Sequence, residues 1–189
     1  MEPKTLLITG FAPFGEERRN PSWEAVNALP ARIGEWVLTK LLLPVEFGRA
    51  AELTIRAAEE CRADAVLCVG LAADRTAVTP EAVGVNVRDA SVPDNAGQRY
   101  EGQPILPDGP AAYFSTLPVR RMTAAIADAG IPAKLSYTAG TYVCNDLMYS
   151  LLNRFADTAI RAAFIHVPLE KNLPLRDTVR ALIAAIESI

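Results

Sequence analysis

The chain has 189 residues, of which 50% are hydrophobic and 22% charged, with three cysteines and one histidine. This length and apolar content suit one folded domain spanning residues 1–189 and exclude a disordered polypeptide. A formal net charge of -3, with 19 basic side chains spread along the chain, excludes the basic face of a nucleic-acid binder. Near the N-terminus, Thr5-Leu6-Leu7-Ile8-Thr9 is a short β-prone run stopped by Gly10, which predicts a buried strand opening into a loop. Asn20-Pro21-Ser22 predicts a helix start, with Asn at the N-cap and Pro at the first helical position, and the helix runs through Trp23, Val26 and Leu29 to Pro30. A second strand is predicted at Val37 to Leu43. An alanine-rich helix follows from Phe47 to Cys61, with Leu53, Ala57 and Cys61 on one face.

Ala65-Val66-Leu67-Cys68-Val69 is almost wholly apolar, as a parallel strand covered on both faces must be, and Gly70 is expected to end it. From Thr79 to Asp108 the alternating run Val83-Gly84-Val85-Asn86-Val87 is followed by the turn-rich Pro93-Asp94-Asn95-Ala96-Gly97, which predicts a long functional excursion. Leu117 to Ala129 predicts a helix, Ala133 to Tyr137 a strand, Tyr142 to Phe155 a helix and Ala162 to His166 a strand. Val179, Leu182, Ile183 and Ile186 mark the inner stripe of a C-terminal helix. Strands alternating with helices imply an α/β protein, a three-layer α/β/α sandwich with a mostly parallel central sheet. Ligands bind such sheets at the carboxyl ends of the strands.

No apolar run approaches the roughly 18 residues of a membrane span, and Met1-Glu2-Pro3-Lys4 is not the basic start of a signal peptide. A cytoplasmic protein without a membrane or nucleic-acid partner is expected. Cys61, Cys68 and Cys144 are odd in number and widely spaced, which fits neither a disulfide framework nor a zinc site, so no metal and no cofactor is expected. Any reaction that couples a thiol or hydroxyl to an imidazole must use His166.

Gly10, Gly70, the turn Thr138-Ala139-Gly140-Thr141 and His166 all fall at predicted strand ends, so a parallel sheet would gather them at one edge. Cys144 follows that turn in the first turn of a helix, where unpaired amides and the helix dipole favour a thiolate. Cys144, Met148 and Leu152 also share one helical stripe, so a plain core position stands beside the nucleophile reading. Cys68 and Cys61 read as buried thiols. His166, at the end of Ala163-Phe164-Ile165, is either a core histidine bonded to backbone or the base that takes a proton from a thiol. Glu81 is one of 22 acidic residues, and a carboxylate of its kind could fix the tautomer of such a base. Gly10-Phe11-Ala12-Pro13-Phe14-Gly15 lacks the glycine and lysine pattern of a phosphate loop. Phe11 and Phe14 read as a pocket wall or as core.

In order along the chain, Leu7-Ile8-Thr9-Gly10-Phe11-Ala12-Pro13-Phe14-Gly15 with Asn20-Pro21-Ser22-Trp23-Glu24-Ala25-Val26, then Thr79-Pro80-Glu81 with Asn86 and Pro93-Asp94-Asn95, then Thr138 to Asn145, then Phe164 to Pro168, resemble the pyroglutamyl peptidase I family of cysteine peptidases. The resemblance implies removal of an N-terminal pyroglutamyl residue from peptides, with Cys144 as nucleophile, His166 as base and acid, and Glu81 orienting the imidazole. It implies a small apolar pocket walled by Phe11, Phe14, Val92, Tyr142 and Val143, with Leu71 as the sixth substrate-binding residue through backbone groups near it that meet the lactam, and amides around Cys144 meeting the oxyanion. It also implies a homo-oligomer, a homotetramer in the family. Leu71, Ser91 and Asp146 depart from the family pattern, and Asp146 would place a negative charge near Cys144 that disfavours its thiolate. A relative that binds pyroglutamate or another small lactam without turnover, and an amidase acting on another small amide, are the alternative readings.

Overall fold

The first apolar run forms β1 (Lys4–Phe11) and continues through Gly10 instead of stopping there. A Cβ at position 10 would lie 2.7 Å from the Cα of Trp23, so this residue is glycine because a helix lies directly on the strand. That helix, α1 (Pro21–Ala28), starts as its sequence predicts, with the Asn20 side chain accepting from the Ser22 amide and proline at its head. The computed structural model describes residues 3–15 and 18–189.

The chain then runs through β2 (Arg32–Ile33), β3 (Trp36–Leu43), α2 (Arg49–Glu60), β4 (Ala65–Leu71), β5 (Thr79–Glu81), β6 (Val83–Val85), β7 (Ala112–Phe114), α3 (Val119–Asp128), α4 (Val143–Arg154), β8 (Arg161–Val167) and α5 (Leu175–Glu187). The main sheet has the order β2-β3-β1-β4-β8-β5. Its four central strands, β3, β1, β4 and β8, are parallel, and β2 and β5 close its two edges antiparallel. β6 and β7 form a separate antiparallel pair.

Alternate residues of the central strands feed two cores. Leu6, Ile8, Leu67, Val69, Ile165 and Val167 pack beneath α1, α3 and α5. Leu7, Val66, Cys68 and Phe164 point the other way, beneath α2 and α4. The result is the expected α/β/α arrangement around a mostly parallel sheet, each helix burying one apolar face. No helix among the described residues is long and apolar enough to cross a membrane.

One predicted strand does not form. Ala133 and Ser136 make only isolated parallel bridges, to Val78 and Glu81. Three residues of β5 offer too few ladder partners for more, and the segment stays extended through Lys134 N–H to Val78 O at 3.0 Å and Ser136 N–H to Pro80 O at 3.0 Å. The excursion after β6 is laced back to the sheet instead. The Asp94 carboxylate accepts from the amides of Phe47 (2.8 Å), Ala96 (2.9 Å) and Gln98 (2.8 Å), and Asn95 donates to Val45 O and Pro13 O.

Candidate active site

Laterally paired residues of neighbouring strands share a face of the sheet, so register decides which side chains meet. Gly70 pairs with His166 and Cys68 with Phe164 across β4 and β8, while Thr79 pairs with His166 and Glu81 with Phe164 across β5 and β8. All six therefore face α4. On that face His166 Nδ1 lies 2.8 Å from Glu81 Oε1, with both residues buried. Arg75, in the loop after β4, donates from Nη1 to the same oxygen at 2.5 Å and from Nη2 to Thr138 O at 2.9 Å. The other oxygen of Glu81, Oε2, is buried without a hydrogen-bond partner among the described residues.

α4 brings Cys144 to this pair. Tyr142 is its N-cap and gives no side-chain acceptor, so the amides of the first turn around Cys144 remain uncapped. The helix comes so close to β4 that a Cβ on Gly70 would lie 2.9 Å from Cys144 Sγ and 2.7 Å from Phe164 Cζ. Gly70 is thus the space into which the sulfur and the phenyl ring fit, and β4 runs on through it to Leu71. The ring of Phe164 lies 4.8 Å, centroid to centroid, from the imidazole of His166. The sulfur and the imidazole accordingly belong to one face of two adjacent strands, at their carboxyl ends.

Two groups of the site are shifted from their ordinary ionisation. Burial pushes the Cys144 thiol up to about 12, Cys68 and Glu81 push it the same way, and Arg75 opposes them. The uncapped helix start is opposed by this loss of solvation, which favours the neutral form of the thiol. Burial also lowers His166 below its usual range; Glu81 opposes this by hydrogen bond and charge, Arg75 adds to it, and Asp74 opposes it. Both shifts favour the uncharged forms of the thiol and the imidazole.

Asp146 does not play the part its position in the sequence suggests. Its Oδ1 pairs with Arg88 Nε at 2.6 Å and its Oδ2 accepts the Gly48 amide at 2.7 Å, which pins the start of α4 to the N-cap of α2. The charge is used up in that clamp. Asn145, fully buried, holds β6 in the same way, exchanging hydrogen bonds with Val85 and donating to Val87 O.

A cavity of about 240 Å³ opens at Cys144, lined by Phe11, Phe14, Leu71 and Tyr142 together with Arg19, Asn20, Val45, Ala73 and Leu169. Phe14 and Tyr142 stack with ring centroids 5.4 Å apart, and Phe47 backs Tyr142 at 5.2 Å. Tyr142 is fixed further by its hydroxyl donating to Pro93 O at 3.0 Å, which joins the turn-rich excursion to the rim. Four of the six expected substrate-binding residues are therefore at the cavity. Val143 is not: it is fully buried in the core under α4, one residue's rotation away from Cys144. Val92 is 47% exposed and does not line the cavity, and Ser91 is exposed too. Near Leu71, the Ala72 amide already donates to Val167 O at 3.0 Å and is not free for a lactam.

The sequence reading missed Arg75 and the lining residues Arg19, Asn20, Val45, Ala73 and Leu169. Val45, Ala73 and Leu169 each follow the carboxyl end of a strand, β3, β4 and β8, so the strand-end rule applied to every strand would have found them. No carboxylate lines the cavity among the described residues. Nor is there, among them, any group of three or more His, Cys, Asp or Glu side chains placed to hold a metal ion.

Comparison with known proteins accords with this geometry. Residues 4–189 match the family described as "Pyroglutamyl peptidase". The chain is 46% identical to the pyrrolidone-carboxylate peptidase of Levilactobacillus brevis, over 97% of this chain and 96% of that protein. It is 45% identical to the protein of the same name from Bacillus subtilis, over 97% and 91%. In structure it is similar to pyroglutamyl peptidase I of Bacillus amyloliquefaciens, with a TM-score of 0.93 at 39% identity over 98% of this chain and 96% of that one. It is also similar to a mutant pyrrolidone carboxyl peptidase of Pyrococcus furiosus, with a TM-score of 0.92 at 36% identity over 97% and 96%. Matched along almost its whole length in both sequence and architecture, the chain belongs to the pyroglutamyl peptidase family of cysteine peptidases.

Proposed function

We propose that this protein hydrolyses the N-terminal pyroglutamyl residue from peptides with Cys144 as nucleophile, His166 as proton carrier and Glu81 as the group that orients the imidazole. The observation that carries the reading is a sulfur opening into a small, mostly apolar cavity that no carboxylate of the described residues lines, beside a buried His166–Glu81 pair. An aminopeptidase must anchor an ammonium group, and an apolar cavity with no acidic lining leaves that charge unpaired. The uncharged lactam of a pyroglutamyl residue loses nothing there.

His166 takes the thiol proton as Cys144 Sγ attacks the pyroglutamyl carbonyl, and the uncapped amides at the start of α4 stabilise the oxyanion that forms. The proton passes to the departing amine, the C–N bond breaks, and a thioester remains on Cys144. His166 then draws a proton from water as the hydroxide oxygen attacks the thioester, and returns it to sulfur as pyroglutamic acid leaves. Phe11, Phe14, Leu71 and Tyr142 serve as the pocket wall, with Val92 on the exposed approach and Val143 as support beneath Cys144.

The test is release of a fluorogenic amine from a pyroglutamyl amide. Cys144→Ala abolishes it, and the wild-type protein shows a burst equal to one acyl-enzyme per site. Residual turnover in Cys144→Ala would sink the mechanism. One alternative is a protein that binds a pyroglutamyl ligand or small lactam without acylation, and binding with no release of amine would establish it.

The protein is further proposed to be a cytoplasmic homo-oligomer, a homotetramer, acting on free peptides rather than on nucleic acid or membranes. Three unpaired cysteines, including the nucleophile, suit a reducing compartment. Phe114, 70% exposed, and Tyr137, 56% exposed, supply apolar surface for subunit contact.

A further inference from the structure

We propose that Arg75 is a positioning residue for the reaction: its guanidinium holds Glu81 against His166 and keeps the imidazole unprotonated and ready to accept the thiol proton. The proposal deepens the reading above and rests on it where it concerns turnover.

One side chain joins the parts that must be kept in register. Arg75 donates to Glu81 Oε1 and Thr79 Oγ1 on β5 and to Thr138 O in the turn that leads to the nucleophile helix. Its own backbone is anchored from both sides, with the amide donating to Ala72 O at 3.1 Å and the carbonyl accepting from Asn172 Nδ2 at 3.0 Å. Arg75 therefore ties the orienting carboxylate, the loop after β4 and the approach to Cys144 into one unit. The fork of the guanidinium is needed for this, since two different nitrogens meet two different segments.

The charge matters as much as the fork. Glu81 is fully buried, and both of its side-chain partners converge on Oε1 while Oε2 has none. With Arg75 in place, the buried group of Glu81, Arg75 and neutral His166 carries no net charge. Without it, a buried carboxylate has only the imidazole beside it, and the pair gains by drawing a proton onto His166. The other ionisable group acting on the imidazole is Asp74, from the same loop as Arg75, and the thiol of Cys144 from α4 lies over Gly70, the residue that pairs with His166. Asp74 and Glu81 favour the imidazolium, so Arg75 is the cation that counters them.

Arg75 does not touch the cavity at Cys144. It lines a separate cavity of about 510 Å³, bounded by Asp74 to Ala77 and Lys134 to Thr138, which shares no residue with the first. Substituting it leaves the pocket wall intact, so its effect belongs in kcat and not in KM.

The experiment uses the intact protein and its sole histidine, whose ring signals can be followed by NMR without ambiguity. In Arg75→Gln the titration midpoint of His166 rises by about one unit. The acid limb of kcat/KM for a pyroglutamyl amide rises with it, and kcat falls about ten- to a hundred-fold with KM little changed. Arg75→Lys, which keeps the charge and loses the fork, restores the midpoint and only part of kcat. If the glutamine variant does not fold, Arg75→Lys decides alone: a wild-type midpoint with reduced kcat supports the proposal, and wild-type kcat overturns it. An unmoved His166 midpoint in a folded Arg75→Gln, or a loss confined to KM, also overturns it. If the wild-type protein releases no amine, the proposed peptidase reading fails, while the NMR titration still tests the hold of Arg75 on His166.

Discussion

Gly70 and Cys144 share one volume: where a side chain at position 70 would begin, 2.9 Å away, lies the sulfur of Cys144. This relation couples the sheet to the chemistry, because any Cβ at that point must push the thiol or the Phe164 ring, 2.7 Å away, out of place. Gly70→Ala is expected to cost about 1–3 kcal/mol by overpacking. It should lower kcat/KM on a pyroglutamyl amide about a hundred-fold through displacement of the proposed nucleophile. Melting and steady-state rates measured on the same preparation separate the two effects, and full activity in Gly70→Ala would show that the thiol is not held by this contact.

Glu81→Gln tests the orienting role proposed for this carboxylate. The variant keeps size and an acceptor oxygen but loses the charge that His166 and Arg75 share at 2.8 and 2.5 Å. A fall in kcat of about 10²- to 10⁴-fold is expected, since both the imidazole orientation and the stabilisation of the imidazolium are impaired. KM stays close to its wild-type value, because Glu81 does not line the cavity. Near wild-type kcat would remove Glu81 from the mechanism.

Most helices and the central strands were legible because burial on both faces writes a continuous apolar run for β4 and β8, and a 3.6-residue stripe for α5. Gly10 and Gly70 were misread as strand ends. A glycine gives the same local signal whether it stops a strand or admits a neighbour, and only the packing of Trp23 and Cys144 distinguishes the two. Cys144, His166 and Glu81 could be named because the motifs resemble a known family; the register that gathers them, Gly70 opposite His166 opposite Thr79, is a property of strand order alone. Arg75 was invisible for the same reason. Its partners at positions 79, 81 and 138 lie in two other segments, and a loop arginine has no periodicity of its own.

Asp146 is expected to behave as a structural residue. In Asp146→Ala the Arg88 guanidinium and the Gly48 amide both lose a partner at a fully buried site, so a loss of about 3–5 kcal/mol is expected. The folded fraction should retain its kcat to within a few-fold, because neither oxygen of Asp146 is turned toward the thiol. Faster alkylation of Cys144 at unchanged stability would instead restore the view that Asp146 suppresses the thiolate.

The pH dependence of stability follows from the same buried groups. Cys68 and Cys144 are both pushed up to about 12 by burial and Cys61 is raised by it as well, so above pH 9 the unfolded chain releases thiol protons that the folded chain keeps. The unfolded state then binds fewer protons, and stability falls with rising pH by about 1.4 kcal/mol per unit for each thiol. His166 acts at the other end. Its imidazole is lowered by burial, so below its ordinary value of about 6.5 the unfolded chain takes up a proton before the folded one does, and stability falls as pH drops from there. Maximum stability is therefore expected between about pH 6.5 and 9. Denaturant titrations from pH 5 to 10 check this: Cys68→Ala should reduce the alkaline slope by one thiol's share and leave the acid side unchanged, while His166→Gln should flatten the decline just below pH 6.5. An unchanged alkaline slope in Cys68→Ala would mean that this thiol ionises in the folded protein as readily as in the unfolded one, and the dry face between β4 and α4 would then be open to water.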